Sequence, residues 1–157
     1  MRIVIVAVGR ARSGPLRDLY EDYAGRIAAT RALGRVELRE VEERRSLAPA
    51  ELKLREGELI RAQLPKGATL VVLDARGQTL TSEAFAARLA KWRDGGVADL
   101  ALVIGGADGL DDSIRRQADL VLSLGAMTWP HMLVRAMLAE QLYRAATILQ
   151  GHPYHRA

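Results

Sequence analysis

The chain has 157 residues, 49% of them apolar and 27% charged, with a formal net charge of +4 and no cysteine. That is the size of one domain, here taken as residues 1–157, able to bury a core without staples; the missing thiols exclude disulfides, thiolate nucleophiles and cysteine-based metal sites. No apolar run approaches the roughly 20 residues of a membrane helix, and Met1 to Val8 lacks the flanks of a signal peptide, so no membrane partner and a cytoplasmic location are expected.

The first predicted strand, Ile3 to Val8, is β-branched and stops at Gly9. A dinucleotide fingerprint would follow it as G-x-G-x-x-G. Gly9-Arg10-Ala11-Arg12-Ser13-Gly14 lacks that spacing, and Pro15 and Leu16 stand where a P-loop has Lys and Ser/Thr. Pro15 suits the first position of a helix, and Leu16, Leu19, Tyr20, Tyr23 and Ile27 follow at helical spacing. Val36 to Val41 mixes apolar and charged residues, as an edge strand does. Arg44 to Pro49 reads as a loop, and Pro49 opens a second helix that buries Leu52, Leu59 and Ile60.

Leu70 to Leu73, Leu100 to Ile104 and Leu120 to Leu124 are continuous apolar runs. Such runs suit strands covered on both faces. Ser82 is the expected N-cap of a helix carrying Phe85, Leu89 and Trp92. The last helix, His131 to Leu149, carries Leu133, Val134, Met137, Leu138, Leu142, Ala145, Ile148 and Leu149 over more than one stripe. It is either deeply buried or meets a second chain. Strands alternating with helices predict an α/β fold with a mostly parallel sheet and helices on both faces.

Three segments follow the last three strands: Asp74 to Gly77, Gly105 to Gly109, and Gly125 to Pro130. Ligands of open α/β sheets bind outside the carboxyl ends of strands, so these loops form the candidate pocket; each alone is equally a simple turn. The tail Gly151-His152-Pro153-Tyr154-His155-Arg156 is polar and aromatic after an apolar helix. It reads as a frayed end, or as a segment folded back onto the pocket, with a ring for base stacking and an arginine for phosphate. Two histidines without a third ligand make a poor metal site, so no metal is expected. Basic residues other than Lys53, Lys66 and Lys91 are all arginine. That composition fits phosphate recognition and, equally, an arginine-biased genome.

The run Ser123-Leu124-Gly125-Ala126-Met127-Thr128-Trp129-Pro130-His131, then Leu133-Val134-Arg135, Glu140-Gln141-Leu142-Tyr143-Arg144-Ala145 and His152-Pro153-Tyr154-His155-Arg156 resembles the signature of the ribosomal large-subunit methyltransferase H family. Val8-Gly9, Leu73-Asp74 with Gly77, and Ile104-Gly105-Gly106 fit the family's looser blocks. The resemblance spans nearly the whole chain. It implies the knotted SPOUT fold, with the C-terminal helix in a trefoil knot that topology rules would otherwise disfavour.

It further implies a homodimer with each site completed by the partner, and bent S-adenosylmethionine as cofactor. The cofactor is expected on Leu73, Asp74, Gly105, Gly106, Leu124, Gly125, Ala126, Met127, Thr128, Trp129 and Pro130. The implied substrate is N3 of pseudouridine 1915 in 23S ribosomal RNA, within the large subunit of an assembled ribosome. Tyr154 and His155 would position the base or move its proton and Arg144 would balance charge on it. Arg135, His152 and Arg156 would bind the substrate. Asp108 stands where the family more often has glutamate. Methylation of another RNA, such as tRNA, and a non-catalytic ribosome-binding factor are the competing functions.

Overall fold

A computed structural model describes residues 1–155 of the chain, with the side chain of His155 outside that description. Strands β1 (Arg2–Val8), β2 (Val36–Val41), β3 (Thr69–Thr79), β4 (Asp99–Ile104) and β5 (Leu120–Ser123) form one sheet in the order β2-β1-β4-β3-β5. Every pairing in it is parallel. The charged strand β2 does lie at an edge. Helices are α1 (Pro15–Thr30), α2 (Pro49–Gln63), α3 (Ser82–Asp94), α4 (Asp112–Arg116) and α5 (His131–Leu149), followed by a 3-10 turn at Pro153–His155.

Alternation along β1 explains the two-sided core. Ile3, Ile5 and Ala7 pack with Tyr20 and Ile27 of α1, Phe85 and Leu89 of α3, and Leu138 and Leu142 of α5. Val4, Val6 and Val8 face the other way, onto Ile60 of α2 and Ile114 of α4. Both faces are therefore covered, as the continuous apolar runs predict. None of the helices among the described residues is long and apolar enough to cross a membrane.

Several local expectations need correction. Thr81, not Ser82, caps α3: its hydroxyl accepts from the Ala84 amide at 3.1 Å. The Ser82 hydroxyl is taken by Gln141 Oε1 at 2.8 Å. Helix α4, capped by Asp111, is too short to show a sequence period. Strand β3 does not end at Leu73 but bulges out and returns, so that Leu73 and Gln78 both pair with Leu122. A Cβ on Gly77 would stand 2.6 Å from the Val121 carbonyl oxygen, so glycine alone lets the returning strand lie this close to β5. The apolar surplus of α5 is used largely inside the chain: Ala136, Leu138, Ala139, Leu142, Ala145 and Ala146 are buried between the sheet, α1 and α3.

Candidate active site

In an all-parallel sheet every strand ends at the same edge. Here the segments after Leu73, Ile104 and Leu124 meet there around an open cleft of about 600 Å³, within the range of small-molecule sites. Leu73, Asp74, Gly105, Gly106, Leu124, Gly125, Met127, Thr128, Trp129 and Pro130 line it; Ala126 belongs to the same loop but not to the lining. His131 and Val134, from the first turn of α5, close one side. Neither was singled out from the sequence as a site residue, because each reads equally well as helix packing.

The floor is apolar, from Ile104, Leu110, Leu122 and Val134, and the rim is polar backbone. Among the described residues, the backbone amides of Ala126, Met127, Thr128 and Trp129 have no partner within the chain. Met127 is 72% exposed and Trp129 39%. Asp74 is less free. Arg76 grips its carboxylate through Nε and Nη2, both at 3.0 Å, and through its backbone amide at 2.9 Å. These bonds, the guanidinium contact first, hold the Asp74 carboxyl below its ordinary value. Burial, followed by the Arg135 charge, lowers the His131 imidazole, which favours its neutral form. Asp108 is exposed and outside the cleft lining.

Behind Gly106 stands Glu56, an acid the sequence reading missed because it lies in an otherwise ordinary amphipathic helix. It is buried, and burial followed by the Asp108 carboxylate raises its carboxyl above the ordinary value. The folded state thus binds the Glu56 proton more tightly than the unfolded state. Its contribution is most favourable below the unfolded pKa and is lost as pH rises through the folded one. Glu56→Gln is expected to melt at a higher temperature than the wild type at pH 8, with a smaller gap at pH 5. A gap independent of pH, read by thermal unfolding, would remove the carboxyl charge from this account.

Arg144, His152 and Tyr154 gather elsewhere. Helix α5 ends where Gly151 takes φ 65°. The Gly151 amide donates to Ile148 and the His152 amide to Thr147, which reverses the chain. Tyr154 is thereby laid on α5 and α1. Its ring meets Tyr143 edge-on at 4.6 Å, and the Arg144 guanidinium lies 5.2 Å from its centre. Its hydroxyl lies 3.2 Å from Glu140 Oε1 and 3.4 Å from Tyr23 Oη. Glu140 Oε1 also accepts from Arg144 at 3.0 and 2.7 Å. Burial first, then the bond to Tyr23 and the Glu140 charge, push the Tyr154 phenol well above its ordinary value. His152 is exposed, and its Nδ1 accepts from the Tyr154 amide at 3.2 Å. The His155 side chain and Arg156 lie outside the described residues.

Among the described residues the tail folds back onto α5 and α1, and Tyr154 is not part of the cleft lining. Arg144 lies ten positions beyond Val134 on α5, or about 15 Å along the helix axis. A second, apolar cleft of about 540 Å³ lies between, bounded by Leu19 and Tyr23 of α1 and by Leu133, Met137 and Glu140 of α5. The two clefts share Leu122, Leu124 and Gly125.

Arg135 is a correction. Expected to bind substrate, it is only 2% exposed and is engaged inside the chain. Its Nη2 donates to the carbonyls of Val8 and Gly9, both at 2.7 Å, and its Nη1 to Glu40 Oε1 at 2.5 Å. From sequence, its helical phase beside buried Ala136 and Leu138 was the available hint. Among the described residues no cluster of three or more His, Asp or Glu has metal-site geometry.

Comparison with known proteins agrees with this architecture. Residues 1–155 match a family described as predicted SPOUT methyltransferases. The chain is 60% identical over the full length of both proteins to a ribosomal RNA large subunit methyltransferase H of Rhodospirillum centenum. It is 55% identical, over 99% of each chain, to the protein of that name from Paramagnetospirillum magneticum. Among solved structures, a probable methylase family protein from Haemophilus influenzae superposes with a TM-score of 0.50 at 14% identity, covering 99% of this chain and 70% of that one. That likeness concerns the fold alone.

Proposed function

This chain belongs to the SPOUT methyltransferase family and, within it, to the ribosomal RNA large subunit methyltransferase H proteins, and on that premise we propose that it methylates N3 of a pseudouridine in 23S ribosomal RNA. The methyl donor is S-adenosylmethionine, the substrate is the large subunit within the assembled ribosome, and the setting is the cytoplasm. The C-terminal segment is threaded as the family's trefoil knot.

The observation that carries the reading is the strand-end cleft with its unpartnered amides at Ala126 to Trp129. An adenosine offers acceptors to such amides and a flat apolar face to Leu110 and Val134, so the residues present fit this cofactor. Leu73, Asp74, Gly105, Gly106 and the Leu124 to Pro130 loop, Ala126 included, would hold it. When bound, the cofactor supplies an electrophilic methyl group on a sulfonium. The chain's own task is alignment of the nucleophilic nitrogen with that carbon.

Tyr154 keeps its proton at neutral pH, so it serves as ring and hydrogen-bond donor and does not act as the base. Glu140 fixes both Tyr154 and Arg144, leaving the guanidinium face to balance negative charge on the nucleobase. His152 orders the tail, and Arg156 supplies a phosphate contact. His155 is the remaining group suited to receive the N3 proton.

The separation of Tyr154 from the cleft supports a homodimer in which the tail of one chain completes the cleft of the other. Leu16 and Leu19 are exposed on α1, and Leu19 lines the apolar cleft; both support burial against a second copy. The test uses Tyr154→Ala, defective in the tail, and Thr128→Trp, which fills the cleft from an exposed position. Each alone should be inactive. Co-expressed, half of randomly formed dimers are mixed and one of their two sites is intact, so about a quarter of the wild-type rate should return. No recovery would mean that the site lies within one chain.

A further inference from the structure

We propose that the loop from Arg10 to Ser13, between β1 and α1, is a phosphate clamp for the RNA substrate, with Arg10 and Arg12 as its contacts; the proposal rests on the RNA methyltransferase reading above. Both arginines are exposed, and among the described residues neither has an ion pair or hydrogen bond. Several other exposed arginines are occupied, Arg17 by Glu21, Arg26 by Asp22 and Arg76 by Asp74, whereas Arg10 and Arg12 stand two residues apart on one loop.

The backbone beneath the two free cations is held from several sides. The Gly9 amide donates to Val41 at 2.7 Å, and the Ala11 amide to Glu40 Oε1 at 2.6 Å. Buried Arg135 holds the carbonyls of Val8 and Gly9 and pairs with that same Glu40 oxygen. At the far end the Gly14 carbonyl accepts from the Asp18 amide at 3.0 Å. A fixed backbone presenting two unpaired guanidinium forks loses little on meeting phosphate.

Position gives the clamp its use. The loop leaves the sheet at the edge where the cofactor cleft opens, since β1 is parallel to β4. Gly9 lies against His131, and His131 also lines the cleft. An RNA strand delivering a base to that edge runs its flanking phosphates past this loop, and phosphate contacts fix register without reading sequence.

The test is the double variant Arg10→Ala, Arg12→Ala, with Arg10→Lys, Arg12→Lys as the conservative control. The readouts are KM for ribosomal particles as a function of salt and, by calorimetry, affinity for S-adenosylmethionine. Two lost phosphate contacts flatten the salt dependence, so between 50 and 200 mM salt the wild type should lose roughly tenfold more affinity than the alanine variant. Cofactor affinity should hold within about twofold, and the lysine variant should restore most of the salt slope. A wild-type KM and salt slope in the alanine variant would overturn the clamp. An equal loss of cofactor affinity would assign the loop to the cofactor site and overturn it too. Failure of the wild type to methylate ribosomes would instead refute the reading on which the clamp rests.

Discussion

Arg135→Met is expected to destabilise the protein by about 3 kcal/mol, the scale for breaking a buried, hydrogen-bonded charge pair from one side. The methionine fills most of the same volume, so the loss is chiefly polar. The carbonyls of Val8 and Gly9 lose their donor, and Glu40 keeps the Ala11 amide but loses its cation. Because Arg135 joins the first turns of α5 to the end of β1, the damage falls where the sheet edge forms the cleft. For a chain of this length the melting midpoint should fall by about 6–12 °C. Glu40→Gln should cost less, because an amide oxygen still accepts from Ala11. Denaturant unfolding checks this. A loss below about 1 kcal/mol for Arg135→Met would show that the buried arginine is replaceable, as well-packed apolar substitutes for ion pairs sometimes are.

Tyr154→Ala is expected to abolish most methylation of ribosomes while leaving cofactor affinity near the wild-type value. The ring is packed against Tyr143 and Arg144, and the hydroxyl sits between Glu140 and Tyr23. Removing the ring forfeits any base stacking, worth about 1–3 kcal/mol, or about 5–150-fold. It also removes the ring beside Arg144, which Glu140 still holds, and the tail's contacts with Tyr143 and Tyr23. Tyr154→Phe keeps the ring and loses only the hydroxyl, so it should retain more activity than alanine. Burial and the Glu140 charge hold the phenol protonated, so the pH-rate profile of the phenylalanine variant should keep the wild-type shape. Wild-type rates in Tyr154→Ala would make the tail a structural end-piece.

Much of the fold was legible in residue pattern. The β-branched runs and the Pro15 and Pro49 helix starts predict strands and helices close to those observed, and α5 matches at both ends. What escaped depends on contacts across the chain. The bulge of β3 is set by the close approach of Gly77 to Val121, which no local period encodes. Helix α4 has five residues, too few for periodicity. Thr81 rather than Ser82 is the cap, and the serine hydroxyl instead meets Gln141, 59 residues away.

The same distinction holds at the site. Glycine-bearing loops at strand ends pointed to the cleft without any tertiary knowledge. Arg135 and Glu56 could not be placed this way. An arginine facing the core and one facing solvent share a helix register until the neighbours are known. The separation of Tyr154 from the cleft follows from the length of α5 and from the turn at Gly151, and it changes what the tail can do within one chain.

Methyl transfer to pseudouridine N3 in large-subunit ribosomal RNA is the reaction we propose for this chain. Its most direct test incubates ribosomes lacking the modification with this protein and S-adenosylmethionine carrying a heavy methyl group, in the presence of a chelator. Nuclease digestion and mass spectrometry then locate the label. One heavy methyl is expected, on N3 of a pseudouridine in the large-subunit RNA, with chelator making no difference. Label confined to tRNA, label on a different ribosomal nucleotide, or no label with active wild-type protein would contradict it.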